Sequence, residues 1–356
     1  MVSQRAHPPE RIFISTYLEA ELVARIRDAV AGRAEVLCDS DLFFPPRYQG
    51  DHGKQGPKDR SPEQEARWRA HLAAATILWD FPTGKPADGG GLALAPNVKW
   101  VQATSSGVGG LVHSLGLDDS DVIVTTARGV HAEALAEFVI LAVLAWAKDL
   151  PKLSADQRAH GYHRYCCREL SGGTMVVVGA GQVGAQVGKV AHALGLRVRA
   201  VVNRPAPSRA AELNADEVFG PDRLLEALRG ADHVVLCTPH TPSTDRMIGE
   251  REFAAMKPGV VFVNIARGAV VDEEALIERL LSGHVAFAGL DVFAVEPLPA
   301  SSPLWDMPNV LISPHSASTA PSENRKITDI FCHNLGAYLD GRPADMKNVL
   351  DKKRRY

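Results

Sequence analysis

The run Met175-Val176-Val177-Val178-Gly179-Ala180-Gly181-Gln182-Val183-Gly184 constrains this chain more than any other stretch. Consecutive β-branched residues lead straight into G-x-G-x-x-G, and an alanine-rich amphipathic segment, Ala185 to Leu194, follows at once. Strand, tight turn and helix in that order are what a dinucleotide-binding βαβ unit requires. The first glycine permits the turn, the second lets a backbone approach a pyrophosphate, and the third allows the helix to pack closely on the strand. The diphosphate would then sit at the positive end of the helix dipole. Such turns also occur without a ligand, so support has to come from the rest of the chain.

The flanking periodicity supplies it. After Gly173, strands are expected at Met175–Val178, Val198–Val202, His233–Thr238, Val260–Ala266, Ala286–Val292 and Val310–Ser313. Helices are expected at Gln182–Leu194, Asp222–Arg229, Asp272–Ser282 and Ser322–Leu339. Right-handed crossovers stack such strands into a doubly wound parallel sheet. The first third of the chain alternates in the same way. Strands are expected near Arg11–Ser15, Glu35–Cys38, Thr76–Phe81, Val98–Gln102 and Val122–Thr126, with a helix over Glu19–Val30. Another helix opens at Ser61-Pro62-Glu63, which reads as N-cap, N1 proline and first-turn acid. A long apolar helix should run from Ala132 to Leu150 and stop before Pro151, leaving Pro151–Leu170 polar and irregular. Asp39–Pro62, rich in Pro, Gly, Asp and Lys, reads as a long surface loop that either contributes to a site or is an ordinary excursion.

At 356 residues the chain is long enough for two domains. A formal charge of −3 offers no electrostatic case for nucleic acid or an anionic membrane as partner. The basic ending Lys352-Lys353-Arg354-Arg355 reads as a solvated tail. The polar start, Met1 to Arg11, lacks an apolar signal core, and the run Leu135–Trp146 is too short to span a bilayer. The five cysteines are odd in number and show no C-x-x-C spacing, which argues against a disulfide framework or a zinc site. A cytoplasmic protein with reduced thiols and no metal is expected.

Open α/β sheets bind ligands beyond the carboxyl ends of their strands. Arg267 follows the strand ending Asn264-Ile265-Ala266, Glu296 follows Gly289-Leu290-Asp291-Val292-Phe293, and His315 follows Ile312-Ser313-Pro314. A hydride arriving at a carbonyl carbon leaves charge on oxygen, which an acid must protonate. Histidine, with an unperturbed pKa of about 6.5, suits that task. A carboxylate on the imidazole would favour its cationic form and fix its orientation, and an arginine can hold a substrate carboxylate through paired hydrogen bonds.

These motifs resemble the D-isomer-specific 2-hydroxyacid dehydrogenases, the group that includes glyoxylate/hydroxypyruvate reductases and phosphoglycerate dehydrogenase. The resemblance rests on Gly179–Gly184, Asn264-Ile-Ala-Arg267-Gly268, Gly289-Leu-Asp-Val-Phe-Ala-Val-Glu296-Pro297, Pro303-Leu304-Trp305, Pro308-Asn309-Val310 and Ser313-Pro-His315, in family order. It implies two Rossmann-like or flavodoxin-like α/β domains with a cleft between them. The cofactor domain (127–316) would be inserted in a discontinuous substrate domain (1–126 and 317–356). It implies His315 as acid/base, Glu296 as its partner and Arg267 as the residue holding the substrate carboxylate and carbonyl. The turn Ser105-Ser106-Gly107-Val108-Gly109 resembles the family's substrate loop, so Ser106, Gly107 and Val108 would receive the carboxylate through backbone N–H groups. The family more often has an acid or Asn where Gly109 stands. Cofactor contacts are implied for Gly179, Gly181, Gln182, Val183 and Gly184, for Cys237, Thr238 and Pro239 at the next strand end, and for Thr244, Ala266 and Asp291. His240 reads as a loop contact without an evident carboxylate partner. A homodimer is usual in the family.

Which nicotinamide cofactor binds turns on one position. NAD-binding units usually carry an acid roughly twenty residues beyond the glycines to hold the ribose 2′-hydroxyl. Here the strand ends in Asn203-Arg204-Pro205. No carboxylate repels a 2′-phosphate, Asn203 can hydrogen-bond it and Arg204 can pair with it, so NADP(H) is preferred. With Arg204 turned to solvent, NAD(H) remains possible. The resulting expectation is an NAD(P)-dependent oxidoreductase acting on a small 2-keto or 2-hydroxy acid. The alternatives are a phosphoglycerate dehydrogenase-like enzyme and a cofactor-sensing, corepressor-like binding protein.

Overall fold

The computed structural model describes residues 9–52, 59–84 and 90–355. The polar start up to residue 8 and residues 53–58 of the expected long loop lie outside the described residues. The chain divides into two compact units, one comprising the residues up to Val130 and from Ala320 onward, the other His131–Thr319. The first boundary falls after Val130 because Ala127 and Val130 are buried in the first unit's core.

The first unit contains β1 (Glu10–Ile14), α1 (Ala20–Val30), β2 (Ala34–Leu37), α2 (Pro62–Ala74), β3 (Ile77–Trp79), β4 (Trp100–Gln102), α3 (Gly109–Ser114) and β5 (Ile123–Thr125). Its five strands are parallel in the order β2-β1-β3-β4-β5, the flavodoxin-like arrangement. Alternate residues of each strand serve opposite faces. Ile12, Ile14, Ile77 and Trp79 pack with α1, whereas Phe13, Leu78 and Val101 pack with Trp68 and Leu72 of α2. Ser61 caps α2 in a full capping box with Gln64. Leu42 and Phe43 are buried, so the loop after β2 is rooted in the core at its start.

The second unit contains α4 (Ala132–Ala147), α5 (Leu150–Arg158), β6 (Thr174–Val178), α6 (Gln182–Ala193), β7 (Arg197–Val201), α7 (Ala210–Leu213), β8 (Glu217–Phe219), α8 (Leu224–Leu228), β9 (His233–Leu236), α9 (Glu250–Ala255), β10 (Val260–Asn264), α10 (Glu273–Leu281), β11 (Val285–Leu290) and β12 (Val310–Ile312). The order β12-β11-β10-β9-β6-β7-β8 is fully parallel, with the chain departing in opposite directions from the β6–β9 neighbours. That reversal is the topological switch point at which doubly wound sheets bind nucleotides. Met175 and Val177 belong to one apolar layer and Val176 and Val178 to the other, so both faces of the sheet are covered. Each such fully buried side chain contributes roughly 1.5–3 kcal/mol of transfer free energy.

Two sequence expectations are corrected here, and one strand that the sequence did not predict is added. Pro151 does not end helical structure: it occupies the first turn of α5, where its missing N–H costs nothing, and Asp149 caps that helix. The edge strand β8 has only one buried residue in three, so it carries no apolar pattern to read. The expected helix Asp222–Arg229 is a 3-10 turn, Pro221–Arg223, followed by the shorter α8.

The chain re-enters the first unit through α11 (Glu323–Leu339), whose Phe331 stacks edgewise on Trp79 at 5.5 Å and tilts against Trp100 at 5.0 Å. The basic ending is not a solvated tail. Leu350 is buried, and the Lys352 ammonium donates to the carbonyls of Ser120 and Val122. No helix among the described residues is long and apolar enough to cross a membrane.

Candidate active site

The second unit brings Arg267, Glu296 and His315 to the carboxyl ends of adjacent strands β10, β11 and β12. His315 Nδ1 lies 2.8 Å from Glu296 Oε2, and the other carboxylate oxygen, Oε1, accepts the N–H of Phe293 at 3.0 Å. The carboxylate is thereby fixed to its own loop while it orients the imidazole. Both side chains remain partly open to solvent, as a proton-transferring pair needs.

The backbone around His315 is held against its preference. His315 has φ +53°, in the left-handed region that costs an L-residue energy. Asp291, 2% exposed, compensates: its Oδ1 accepts the Ser313 hydroxyl at 2.6 Å and the N–H groups of Ser316 and Ala317, each at 2.9 Å. Its carbonyl accepts the N–H of His315 at 2.9 Å. Burial raises the Asp291 carboxyl above its ordinary value, against these hydrogen bonds and the nearby His315. Asp291, expected as a cofactor contact, is the internal anchor of the 313–317 turn, a role no sequence motif signalled.

Arg267 is positioned by Asn264, whose side chain accepts the N–H of Ala266 at 3.0 Å and donates to the Arg267 carbonyl at 3.2 Å. An Asn closing a buried apolar strand is a faint signal for this role. The next residue, Gly268, lies so close to the 293–294 peptide that a Cβ there would fall 1.8 Å from the Phe293 carbonyl oxygen. The Arg-Gly pair is therefore a packing requirement that seats the β10 turn on the turn carrying Glu296. Burial pushes the Arg267 guanidinium below its ordinary value, and Glu296 and Asp291 pull it back. The guanidinium donates to the Ala266 carbonyl at 2.6 Å, and a partly buried planar cation of this kind suits a carboxylate ligand.

The glycine turn meets the requirements of a dinucleotide at each position. Gly179 has φ +90°, and a Cβ on it would lie 2.6 Å from Thr238 Cα, across the switch point. A Cβ on Gly181 would meet nothing within 4 Å, so the space above it is open for a diphosphate. A Cβ on Gly184 would come 2.9 Å from Val177 Cγ1, which fixes how closely α6 lies on β6. The first-turn N–H groups of this 12-residue helix, with Gln182 and Val183 at its start, point toward that opening.

Asn203 and Arg204 follow β7 and are exposed, and the Arg204 guanidinium has no partner among the described residues. Arg209, by contrast, is tied to Glu212 and to the Arg204 carbonyl. At the end of β9, burial pushes the Cys237 thiol up to about 12, which makes it a packing group and not a nucleophile. Thr244 Oγ1 donates to the Pro239 carbonyl at 2.7 Å and ties the loop between them shut. His240 does have a carboxylate partner: Nε2 lies 2.7 Å from Asp245 Oδ1, five residues on, where the loop's turn brings it back. In the first unit, Ser106 and Gly107 are exposed and Val108 is buried, and Thr104, two positions before Ser106, is pinned by a 2.8 Å hydrogen bond to Asp80.

The D-isomer specific 2-hydroxyacid dehydrogenase NAD binding domain matches residues 140–317. The chain is 38% identical over 285 residues to D-3-phosphoglycerate dehydrogenase of Mycobacterium leprae (strain TN), covering 75% of this chain and 51% of that protein. It spans about half the length of that relative. It is 31% identical over 279 residues to glyoxylate/hydroxypyruvate reductase B of Pectobacterium atrosepticum, covering 76% of this chain and 85% of that one. Its fold is similar to that of a D-isomer specific 2-hydroxyacid dehydrogenase from Xanthobacter autotrophicus Py2, solved in complex with NADPH and MES. That match has a TM-score of 0.75 and 30% identity over 98% of this chain and 100% of that one. With two Rossmann-like units, a glycine turn at the switch point and these matches, the chain belongs to the D-isomer specific 2-hydroxyacid dehydrogenase family.

Proposed function

We propose that this protein is an NADP(H)-preferring dehydrogenase that reduces a small 2-oxo acid of the glyoxylate or hydroxypyruvate type. The observation that carries the reading is the 2.8 Å His315–Glu296 pair, in the unit that also carries the glycine turn and Arg267. The nicotinamide cofactor, when bound, supplies the hydride. Arg267 holds the substrate's carboxylate and carbonyl, His315 gives its proton to the carbonyl oxygen as charge develops there, and Glu296 keeps the imidazole aimed. Ser106, Gly107 and Val108 receive the carboxylate through their N–H groups. The reductase relative from Pectobacterium atrosepticum supports the substrate class. NADPH in the Xanthobacter autotrophicus structure, together with the unpartnered Arg204 and the missing acid after β7, supports the cofactor.

The central test is turnover of glyoxylate, hydroxypyruvate, pyruvate and 3-phosphohydroxypyruvate with NADPH and NADH. His315→Gln is expected to lower kcat by roughly 10³-fold while leaving the NADPH Kd unchanged; retained kcat refutes the assignment. NADPH should exceed NADH in kcat/KM. Arg204→Ala is expected to erase about tenfold of that preference by raising the KM for NADPH alone. A preference for NADH in the unaltered protein would overturn the cofactor reading. The 38% identity to a phosphoglycerate dehydrogenase is why the phosphorylated substrate belongs in the panel.

The same reading includes a homodimer in the cytosol. Leu141, Leu150, Leu153 and Tyr162 are large apolar side chains exposed on the second unit, and all five cysteines are free thiols.

A further inference from the structure

The segment after α11 is built into the first unit up to the turn that carries Ser106, Gly107 and Val108. Val349 bridges Thr125 in antiparallel fashion, and the Leu350 N–H donates to the Val124 carbonyl at 2.8 Å, so the segment borders β5. Leu350 packs in the same apolar cluster as Val108 and Val112. Lys352 is tied to Ser120 and Val122, its ammonium 3.2 Å from the Val122 carbonyl oxygen. A turn then closes on Asp351, which accepts the N–H of Arg354 on its side chain at 3.0 Å and the N–H of Arg355 on its carbonyl at 2.7 Å. Arg355 takes φ +64°, and its main chain ends up against Gly109: a Cβ there would lie 2.1 Å from the Arg355 carbonyl oxygen and 2.6 Å from Arg355 Cβ.

The departure at position 109 thus has a steric cause in this chain. The place that an acid or Asn would fill is taken by the backbone of residue 355. The turn is gripped at both ends, at Thr104 by Asp80 and at Gly109 by the terminal segment, while Ser106 and Gly107 between them stay exposed.

We propose that residues 349–355 form a positioning strap for the substrate turn, with Gly109 and Arg355 as the point of coupling. The strap sets the directions of the Ser106, Gly107 and Val108 N–H groups, and through them the affinity for the 2-oxo acid. The inference rests on the assignment of that turn to the substrate carboxylate.

A double-mutant cycle tests it in the full protein. A chain ending at Asp351 is expected to raise the KM for glyoxylate about tenfold, with a smaller change in kcat and an unchanged NADPH Kd. Gly109→Ala should cost a similar factor in the full chain and less than about twofold in the shortened one, because the clashing backbone is gone. Lys352→Met, which loosens the strap without shortening it, serves as the second background if the shortened chain does not fold. A KM within about twofold of the unaltered value after shortening, or an equal Gly109→Ala penalty in both backgrounds, overturns the strap. If the unaltered protein reduces no 2-oxo acid, the substrate assignment fails instead. Non-additive shifts of Tm in the same cycle then still report whether residues 109 and 355 are coupled.

Discussion

A histidine held at φ +53° beside a carboxylate 2.8 Å away is a strained group supported on two sides. Glu296 holds the ring and Asp291 holds the backbone. With the work divided in this way, removing the backbone support should damage chemistry more than cofactor affinity. Asp291→Ala leaves the Ser313 hydroxyl and two N–H groups without their acceptor, at a cost of a few kcal/mol. The expected result is a loss of about 10²-fold in kcat, since small displacements of an acid/base are amplified in rate. Asp291→Asn, which keeps an acceptor oxygen, should recover most of it. Comparing kcat in the two variants checks this, and equal losses would remove Asp291 as a positioning residue. At this scale the sequence was legible for residue type and blind to support. Arg267, Glu296 and His315 stand at strand ends that any βα reading locates. The anchoring by Asp291 and the seating of Gly268 on Phe293 are contacts between segments that no spacing encodes, whereas Asn264 acts on residues two and three positions further on.

The elements were legible where their apolar period was long and unbroken. β6, α6, β10 and α11 fall within a residue or two of expectation because each has a buried face several residues long. Short pieces escaped. α3, α7 and α9 have 4 to 6 residues each, and β8 has 3, too few for a period to declare itself. α5 was missed for the opposite reason: a proline read as a stop serves as a start. The βαβ junction at the glycine turn predicts its own sensitivity. Gly184→Val adds bulk where even a Cβ would meet Val177 Cγ1 at 2.9 Å, so α6 has to lift from β6. Overpacking of this kind costs roughly 1–3 kcal/mol and moves the helix N-terminus. An NADPH Kd raised by at least about tenfold, measured by fluorescence titration, is expected. An unchanged Kd would mean that the helix N-terminus does not carry the diphosphate.

For the molecule as a whole, the acid limb of stability is set in part by a core histidine. His233 on β9 is 2% exposed, its Nδ1 has no partner among the described residues, and the Trp146 ring packs against it in a T-shaped arrangement. Burial lowers its pKa to about 4 from 6.5. The folded chain therefore binds fewer protons there than the unfolded chain between those values. Stability is fully present above about pH 6.5 and is lost as pH falls toward 4, by at most about 3 kcal/mol. His233→Phe should flatten this limb relative to the unaltered protein in urea unfolding measured from pH 7 to 4.5. Parallel curves for the two proteins would show that His233 carries none of the dependence.

What the amino-acid sequence determined by itself is whatever lies in local order: alternating β and α segments, a glycine turn between two of them, and reactive side chain types at strand ends. These follow from the conformational limits of glycine and proline and from the period of apolar residues, which act over a few positions. What only the tertiary structure decided is everything that joins distant segments. It tied the basic ending to the turn at Gly109, made Asp291 an anchor and placed Gly268 under the Phe293 peptide. Steric exclusion and hydrogen bonding act at contact distance in space, and chain separation does not enter them.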